Sequence, residues 1–155
     1  VYVETSVISY LTALPSRDLV VAAHQQVTRD WWSSRTRFDL LVSDAVLQEV
    51  ERGDGAAAAR RLAALDGIPV LSATLSAQAL AREFLRAAAM PSTAAIDAVH
   101  VAIAATHGVD FLITWNCTHI ANAAVRGKIE AVCRDAGFRP PAICTPLELS
   151  GEEDE

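Results

Sequence analysis

Short apolar runs alternate with helical patterns along almost the whole chain, and this alternation limits the possible folds more than any other feature. The runs are rich in β-branched and aliphatic side chains and lie at residues 1–3, 40–42, 68–71, 111–113 and 142–144. Helical periods separate them, at about residues 15–31, 43–50, 56–65, 76–90, 94–107 and 120–136. Because strands joined by helical crossovers pair in parallel, the pattern predicts an α/β fold of three layers. Helices then cover both faces of a mostly parallel sheet.

The bulk composition is that of one folded domain. The chain has 155 residues, 52% of them hydrophobic, which is enough for a core and too apolar for a disordered chain. No stretch is as long and uncharged as a membrane span, and the sequence given opens without a secretory-signal pattern. The three cysteines show no C-x-x-C spacing and are interpreted as free thiols. We therefore expect a cytoplasmic protein with a single domain over residues 1–149.

The net charge of −6 does not exclude a nucleic-acid partner. The last four residues, 152–155, are all acidic, and without them 13 basic residues face 15 acidic ones (19 − 4), a balance of −2. We expect residues 150–155 to form a mobile acidic tail. The charge of the domain itself is then close to neutral.

Polar side chains follow the predicted strands at the points where the strands end. They are Glu4, Thr5 and Ser6 after the first run, Glu49 on the helix after the second, Asn116 after the fourth, and Asp97 on the preceding helix. Ligands of parallel sheets bind outside the carboxyl ends of the strands, so we expect these side chains to converge. Neither lysine nor arginine lies near Glu4 in the sequence. Clustered carboxylate and amide oxygens without a cationic partner predict a divalent metal ion, Mg²⁺ or Mn²⁺ rather than zinc.

Three segments, in this order, resemble the PIN-domain nucleases and among them the VapC-type toxins of bacterial toxin–antitoxin pairs. The segments read VYVETSVIS, SDAVLQEVERGD and AAIDAVHVAIAATHGVDFLITWN, and the similarity extends from residue 1 to about residue 149. The resemblance implies a five-stranded parallel sheet of Rossmann-like topology and metal-dependent endonucleolytic cleavage of RNA. It also implies a homodimer and a small antitoxin protein that blocks the acidic pocket.

The acidic positions of that family fall on Glu4, Glu49, Asp97 and Asn116. The first is usually Asp and here is Glu, one methylene longer. The fourth is usually acidic and here is a neutral Asn, so a second metal ion would bind more weakly. On this hypothesis Glu4 and Asp97 contact the metal, and Glu49 binds it or orients the attacking water. Asn116 and Ser6 complete the ligand shell directly or through water.

Several of these residues also have a purely structural interpretation. Glu49 fits a solvated helix face about equally well, and Asn116 fits a turn before the next helix. His100 and His119 are more typical of packing or hydrogen-bonding residues than of ligands.

Two other α/β functions that place a site at the strand ends are excluded by the sequence. A nucleotide- or flavin-binding domain needs a glycine-rich turn after the first strand, and the first glycine of the chain is Gly53. A phospho-acceptor receiver domain needs a lysine at the end of its last strand, and the one lysine, Lys128, lies within a predicted helix. The remaining alternative is a PIN-fold module that binds RNA or a protein with weak or no catalysis.

Overall fold

The computed structural model describes residues 1–151, so most of the predicted acidic tail, residues 152–155, lies outside the described residues. The strands are β1 (Tyr2–Val3), β2 (Val42–Ser43), β3 (Val70–Leu71), β4 (Phe111–Ile113) and β5 (Ala142–Cys144). The helices are α1 (Thr5–Thr12), α2 (Leu19–Ser33), α3 (Asp44–Val50), α4 (Gly55–Ala64), α5 (Leu75–Arg86), α6 (Ala95–Thr106), α7 (Ala123–Asp135) and α8 (Pro146–Leu149). Short 3₁₀ turns occupy Arg35–Arg37 and Ser92–Ala94.

All strand pairs in the described part of the chain are parallel, as the alternating pattern predicts, but they form two ladders. One sheet has the order β1-β4-β5, with Tyr2 opposite Leu112, and the other pairs β2 with β3. A single parallel bridge between Tyr2 and Leu41 connects the two. The expectation of one continuous five-stranded sheet is therefore wrong. Only Leu41, the residue directly before β2, pairs with β1, whereas Val42 and Ser43 pair with β3.

The six predicted helices are present, with bounds shifted by a few residues. The predicted stop at Gly137 is confirmed by its positive φ of +85°, a backbone conformation that glycine adopts without strain. Helix α1 is absent from the sequence patterns because its β-branched and hydroxyl residues are weak helix formers. It is stabilised by a cap from the Glu4 side chain and by burial of Val7 and Ile8.

Helix α6 is the most deeply buried helix among the described residues and carries part of the site. Seven of its twelve residues are buried, including consecutive residues from His100 to Ala105. It packs along α5 on one side and contacts α3 and β4 on others. Helices α1, α2, α4 and α8 make a second packed group, and α3 contacts both groups. The start of α6 is thereby held close to α3 and to the end of β4.

All three cysteines are free thiols, as expected. Within residues 1–151, no helix combines the length and the apolar character that crossing a membrane requires.

Candidate metal centre

Glu4 lies at the end of β1 and is 5% exposed. Its Oε2 atom accepts hydrogen bonds from the Ser6 backbone N–H at 3.1 Å, from the Ser6 hydroxyl, and from the Thr114 hydroxyl at 2.6 Å. The amino end of α1 also favours a negative charge at this position. Hydroxyl groups and a helix end, rather than a lysine or arginine, therefore hold this buried acid in place.

Glu49 lies in α3 and its side chain is 26% exposed. Its Oε1 atom accepts a hydrogen bond from the Thr5 hydroxyl at 2.7 Å and lies 2.5 Å from Nε2 of His100. Burial would raise the pKa of Glu49, but the hydrogen bond and charge of His100 and the bond from Thr5 outweigh it and lower that pKa. The sequence is equally compatible with Glu49 on a solvated helix face and with Glu49 at the metal site. In the structure its carboxylate lies beside Glu4 and His100.

His100 lies in α6 and is fully buried. Its Nδ1 atom lies 2.6 Å from the Tyr2 hydroxyl, so both ring nitrogens are engaged, one with Tyr2 and the other with Glu49. Burial would lower the pKa of His100, but the bond to Glu49 and the charges of nearby carboxylates, including Glu4 and Asp97, raise it. A ring nitrogen of His100 and carboxylate oxygens of Glu4 and Glu49 all lie within 4.8 Å of one another.

Asp97 lies in the first turn of α6 and is held by a different partner. Its Oδ2 atom is 2.8 Å from Nδ1 of His119, in the loop after β4. Asp97 is not a member of the group formed by Glu4, Glu49 and His100. The predicted convergence thus brings two acids into one cluster and places the third beside it, near enough for its charge to act on His100.

Asn116 occupies a turn, as its structural interpretation predicts. Its Oδ1 atom accepts a hydrogen bond from the His119 backbone N–H at 3.0 Å, and its main-chain carbonyl accepts from Ile120 and Ala121. A carbonyl oxygen has a second lone pair, so ligation by Asn116 stays a prediction.

The three acids share an arrangement that suits a metal ion. Each uses one oxygen for all of its protein hydrogen bonds within residues 1–151, namely Oε2 of Glu4, Oε1 of Glu49 and Oδ2 of Asp97. The other oxygen of each has no protein donor in that part of the chain, and none of the three acids forms a salt bridge with arginine or lysine there. Because both nitrogens of His100 are occupied, the available ligands are all oxygen atoms. Such a set fits Mg²⁺ or Mn²⁺.

Comparison with known families assigns the chain to a family. The sequence profile of the PIN domain family matches residues 1–116 of the 155. The chain belongs to the PIN domain family. All four predicted acidic-motif positions of this PIN domain, from Glu4 to Asn116, lie within the matched residues. A comparison with curated proteins finds no match to the chain.

The sequence placed hydroxyl residues beside the acids of this PIN domain but did not assign to Thr114 and Tyr2 the role of orienting them. Thr114 is fully buried, donates to Glu4, and accepts a hydrogen bond from the Asn116 backbone N–H at 2.9 Å. Tyr2 reads in the sequence only as an apolar strand residue, yet its hydroxyl contacts His100. A hydroxyl residue directly after an apolar run, as at Thr114, is the signal that could have indicated this role.

Proposed function

We propose that this chain is a metal-dependent endoribonuclease and the toxin of a VapC-type toxin–antitoxin pair. PIN domains are generally metal-dependent nucleases, and the chain belongs to that family. The observation that carries the proposal is the approach of Glu4 to Glu49. Their carboxylate oxygens lie within 4.8 Å of each other although the two residues belong to different elements.

The charge balance of the cluster supports a bound cation. Two ionised carboxylates at such a distance repel each other by an energy on the order of a few kcal/mol in a partly solvated site. The hydrogen bond between His100 and Glu49 stabilises the ionised carboxylate, in agreement with the lowered pKa of Glu49. With Asp97 nearby, negative charge remains in excess, and a divalent ion would neutralise it.

The roles of the acids follow from how they are held. Glu4 and Asp97 would bind the ion through the oxygens that no donor among residues 1–151 occupies. Glu49, oriented by Thr5 and His100, would bind it too or accept a proton from the attacking water. When bound, a divalent ion acidifies water and neutralises charge on a phosphate group in the transition state.

RNA would approach the acids where the surface is open beside Glu49. A cavity of about 140 Å³ adjoins this residue and is lined in part by Gln48, Arg52 and Ile96. Arg52 is suitably charged to contact a phosphate group there. Larger cavities lie elsewhere, such as one of about 400 Å³ beside Glu83 and Arg86, and none of those described includes an acid of the cluster.

One observation favours a second candidate, a PIN-fold module that binds RNA or a protein with weak or no catalysis. The fourth motif position is Asn116, which carries no charge and whose side-chain oxygen already accepts a hydrogen bond from His119. A second cation would then bind weakly, which lowers any activity that needs two ions.

Cleavage of a structured RNA by the purified chain distinguishes the two candidates. After removal of metal with EDTA, Mg²⁺ or Mn²⁺ is restored to the wild type, Asp97→Ala and Asp110→Ala. Asp110 is the matched control, because it is an exposed acid paired with Arg139 at the opposite end of β4. We expect cleavage by the wild type and Asp110→Ala and a loss of about 100-fold or more in Asp97→Ala. Equal products from all three proteins would remove the catalytic proposal, and RNA binding without cleavage would favour the second candidate.

The biological role is tested separately. Production of the chain alone in a bacterial cytoplasm should slow growth, and production of Asp97→Ala should not. Unimpaired growth with soluble wild-type protein would contradict the toxin role. Light scattering in solution tests the proposed homodimer, and co-purification with the product of the neighbouring gene tests the proposed antitoxin.

A further inference from the structure

A chain of buried hydrogen bonds leads from the core to Glu49. The Ser43 hydroxyl lies 2.7 Å from the Tyr2 hydroxyl, which lies 2.6 Å from Nδ1 of His100, and Nε2 of His100 lies 2.5 Å from Oε1 of Glu49. Tyr2, Ser43 and His100 are all fully buried. The four residues come from β1, β2, α6 and α3, so the chain of bonds joins four separate elements.

One direction of donation satisfies every polar group along this series of hydrogen bonds. Ser43 accepts from the Val46 backbone N–H at 3.3 Å and donates to Tyr2. Tyr2 then donates to Nδ1 of His100, and the Nε2–H group of His100 donates to Glu49. Because an unsatisfied polar group in a dry core is costly, the tyrosine hydroxyl fixes the plane of the histidine ring.

We infer that Tyr2 is a positioning residue of the metal centre, holding Glu49 through His100 so that a carboxylate oxygen stays close to Glu4. The inference rests on the proposed function, since it assigns Tyr2 a role toward the bound ion. Glu49 needs such support because its side chain is long and 26% exposed. Thr5 also holds Glu49, through a hydrogen bond to the same oxygen atom.

Loss of the Tyr2 hydroxyl should therefore weaken metal binding. Partners that orient a ligand without touching the ion contribute about 10- to 100-fold in metal affinity. Tyr2→Phe keeps the buried ring and removes the bond to His100. Tyr10→Phe is the matched control, because the Tyr10 hydroxyl has no hydrogen-bond partner among residues 1–151 and its ring packs on His24 and Trp115.

The experiment is a calorimetric titration of Mn²⁺ into the full chain, freed of metal with EDTA and without RNA. We expect Tyr2→Phe to bind Mn²⁺ at least about tenfold more weakly than the wild type and Tyr10→Phe to bind as the wild type does. Equal affinity of Tyr2→Phe and the wild type would overturn the inference and leave the proposed metal centre intact. No binding by the wild type would overturn both.

A second variant keeps the inference testable if Tyr2→Phe does not fold. Ser43→Ala breaks the same series of hydrogen bonds at the end away from Glu49. It should also weaken Mn²⁺ binding. Ser43 also caps α3, so Thr74→Ala, which removes the equivalent cap of α5, controls for the lost cap. Unchanged Mn²⁺ affinity in Ser43→Ala would contradict the inference, as would an equal loss in Thr74→Ala.

Discussion

Nδ1 of His119 lies 2.8 Å from Oδ2 of Asp97, and this contact ties the loop after β4 to the start of α6. The His119 backbone N–H also bonds to Asn116. Through Thr114, which bonds both Asn116 and Glu4, the same network reaches the buried acid at the end of β1. Three of the four predicted motif positions, Asp97, Asn116 and Glu4, are thus connected by hydrogen bonds. Glu49 is held separately, by Thr5 and His100.

Replacing His119 by alanine should reduce cleavage more than stability. The two side chains are 30% and 22% exposed, so solvent screens their interaction and its loss should cost less than about 1 kcal/mol in unfolding free energy. Asp97 would lose its orientation, and we expect RNA cleavage to fall about tenfold. Initial rates and urea unfolding measure the two effects. His107→Ala, at the exposed end of α6, is the control, and a wild-type rate for His119→Ala would contradict the prediction.

Glu4→Gln should abolish metal-dependent cleavage while the fold is retained. The glutamine carbonyl can still accept hydrogen bonds from Ser6 and Thr114, but the oxygen available to the ion is replaced by an uncharged amide. We expect the cleavage rate to fall by about 100-fold or more. We also expect no rise in thermal stability on adding Mn²⁺, because a metal ion stabilises only a protein that binds it. Glu51→Gln, an exposed acid close to Glu49, should behave as the wild type. Metal-induced stabilisation of Glu4→Gln equal to that of the wild type would count against Glu4 as a ligand.

Thr114→Val should destabilise the metal-free protein. The change keeps the shape of a fully buried side chain but removes the donor to Glu4 and the acceptor for the Asn116 backbone. Leaving such groups unpaired costs about 1–3 kcal/mol. Urea unfolding in EDTA measures this cost. Thr106→Val is the control, because the hydroxyl of Thr106 donates only to backbone carbonyls within α6. If this variant loses as much unfolding free energy as Thr114→Val, the contacts of Thr114 with the site are not the cause.

The pH dependence of metal-free stability should report the pair of Glu49 and His100. The pKa of His100 is raised by folding, so its contribution is complete below the ordinary value of 6.5 and disappears as pH rises through the raised pKa. The pKa of Glu49 is lowered, so its contribution is complete above 4.5 and disappears as pH falls through the lowered pKa. The pair therefore stabilises the fold most between pH 4.5 and pH 6.5.

Urea unfolding in EDTA within this pH range, below it and above it tests the sign of both shifts. We expect the unfolding free energy of the wild type to decline on either side of the window. Glu49→Gln lacks the ionised partner of His100, so its curve should be flatter through the same range. Parallel curves for the two proteins would show that the pair is not the source of the dependence.

The sequence by itself determined the helices with regular periods and the edge at which the acids lie. Local spacing carries this information, because a helix repeats every 3.6 residues and parallel strands place their carboxyl ends on one side. Thus Glu4, Glu49 and Asp97 could be named as candidates before their positions in space were known. The local pattern did not indicate α1, whose residues form a helix only because Glu4 caps it and the core buries Val7 and Ile8.

Only the tertiary structure decided which side chains meet. Thr5 bonds to Glu49 across 44 positions, His100 to Glu49 across 51, and Thr114 to Glu4 across 110. Contacts at these separations depend on how whole elements pack, about which short-range periodicity says nothing. The same packing divides the strands into two ladders and gives Asp97 a histidine partner. The residue types that form the centre can therefore be identified from the local sequence. Their arrangement in space depends on how the whole fold packs.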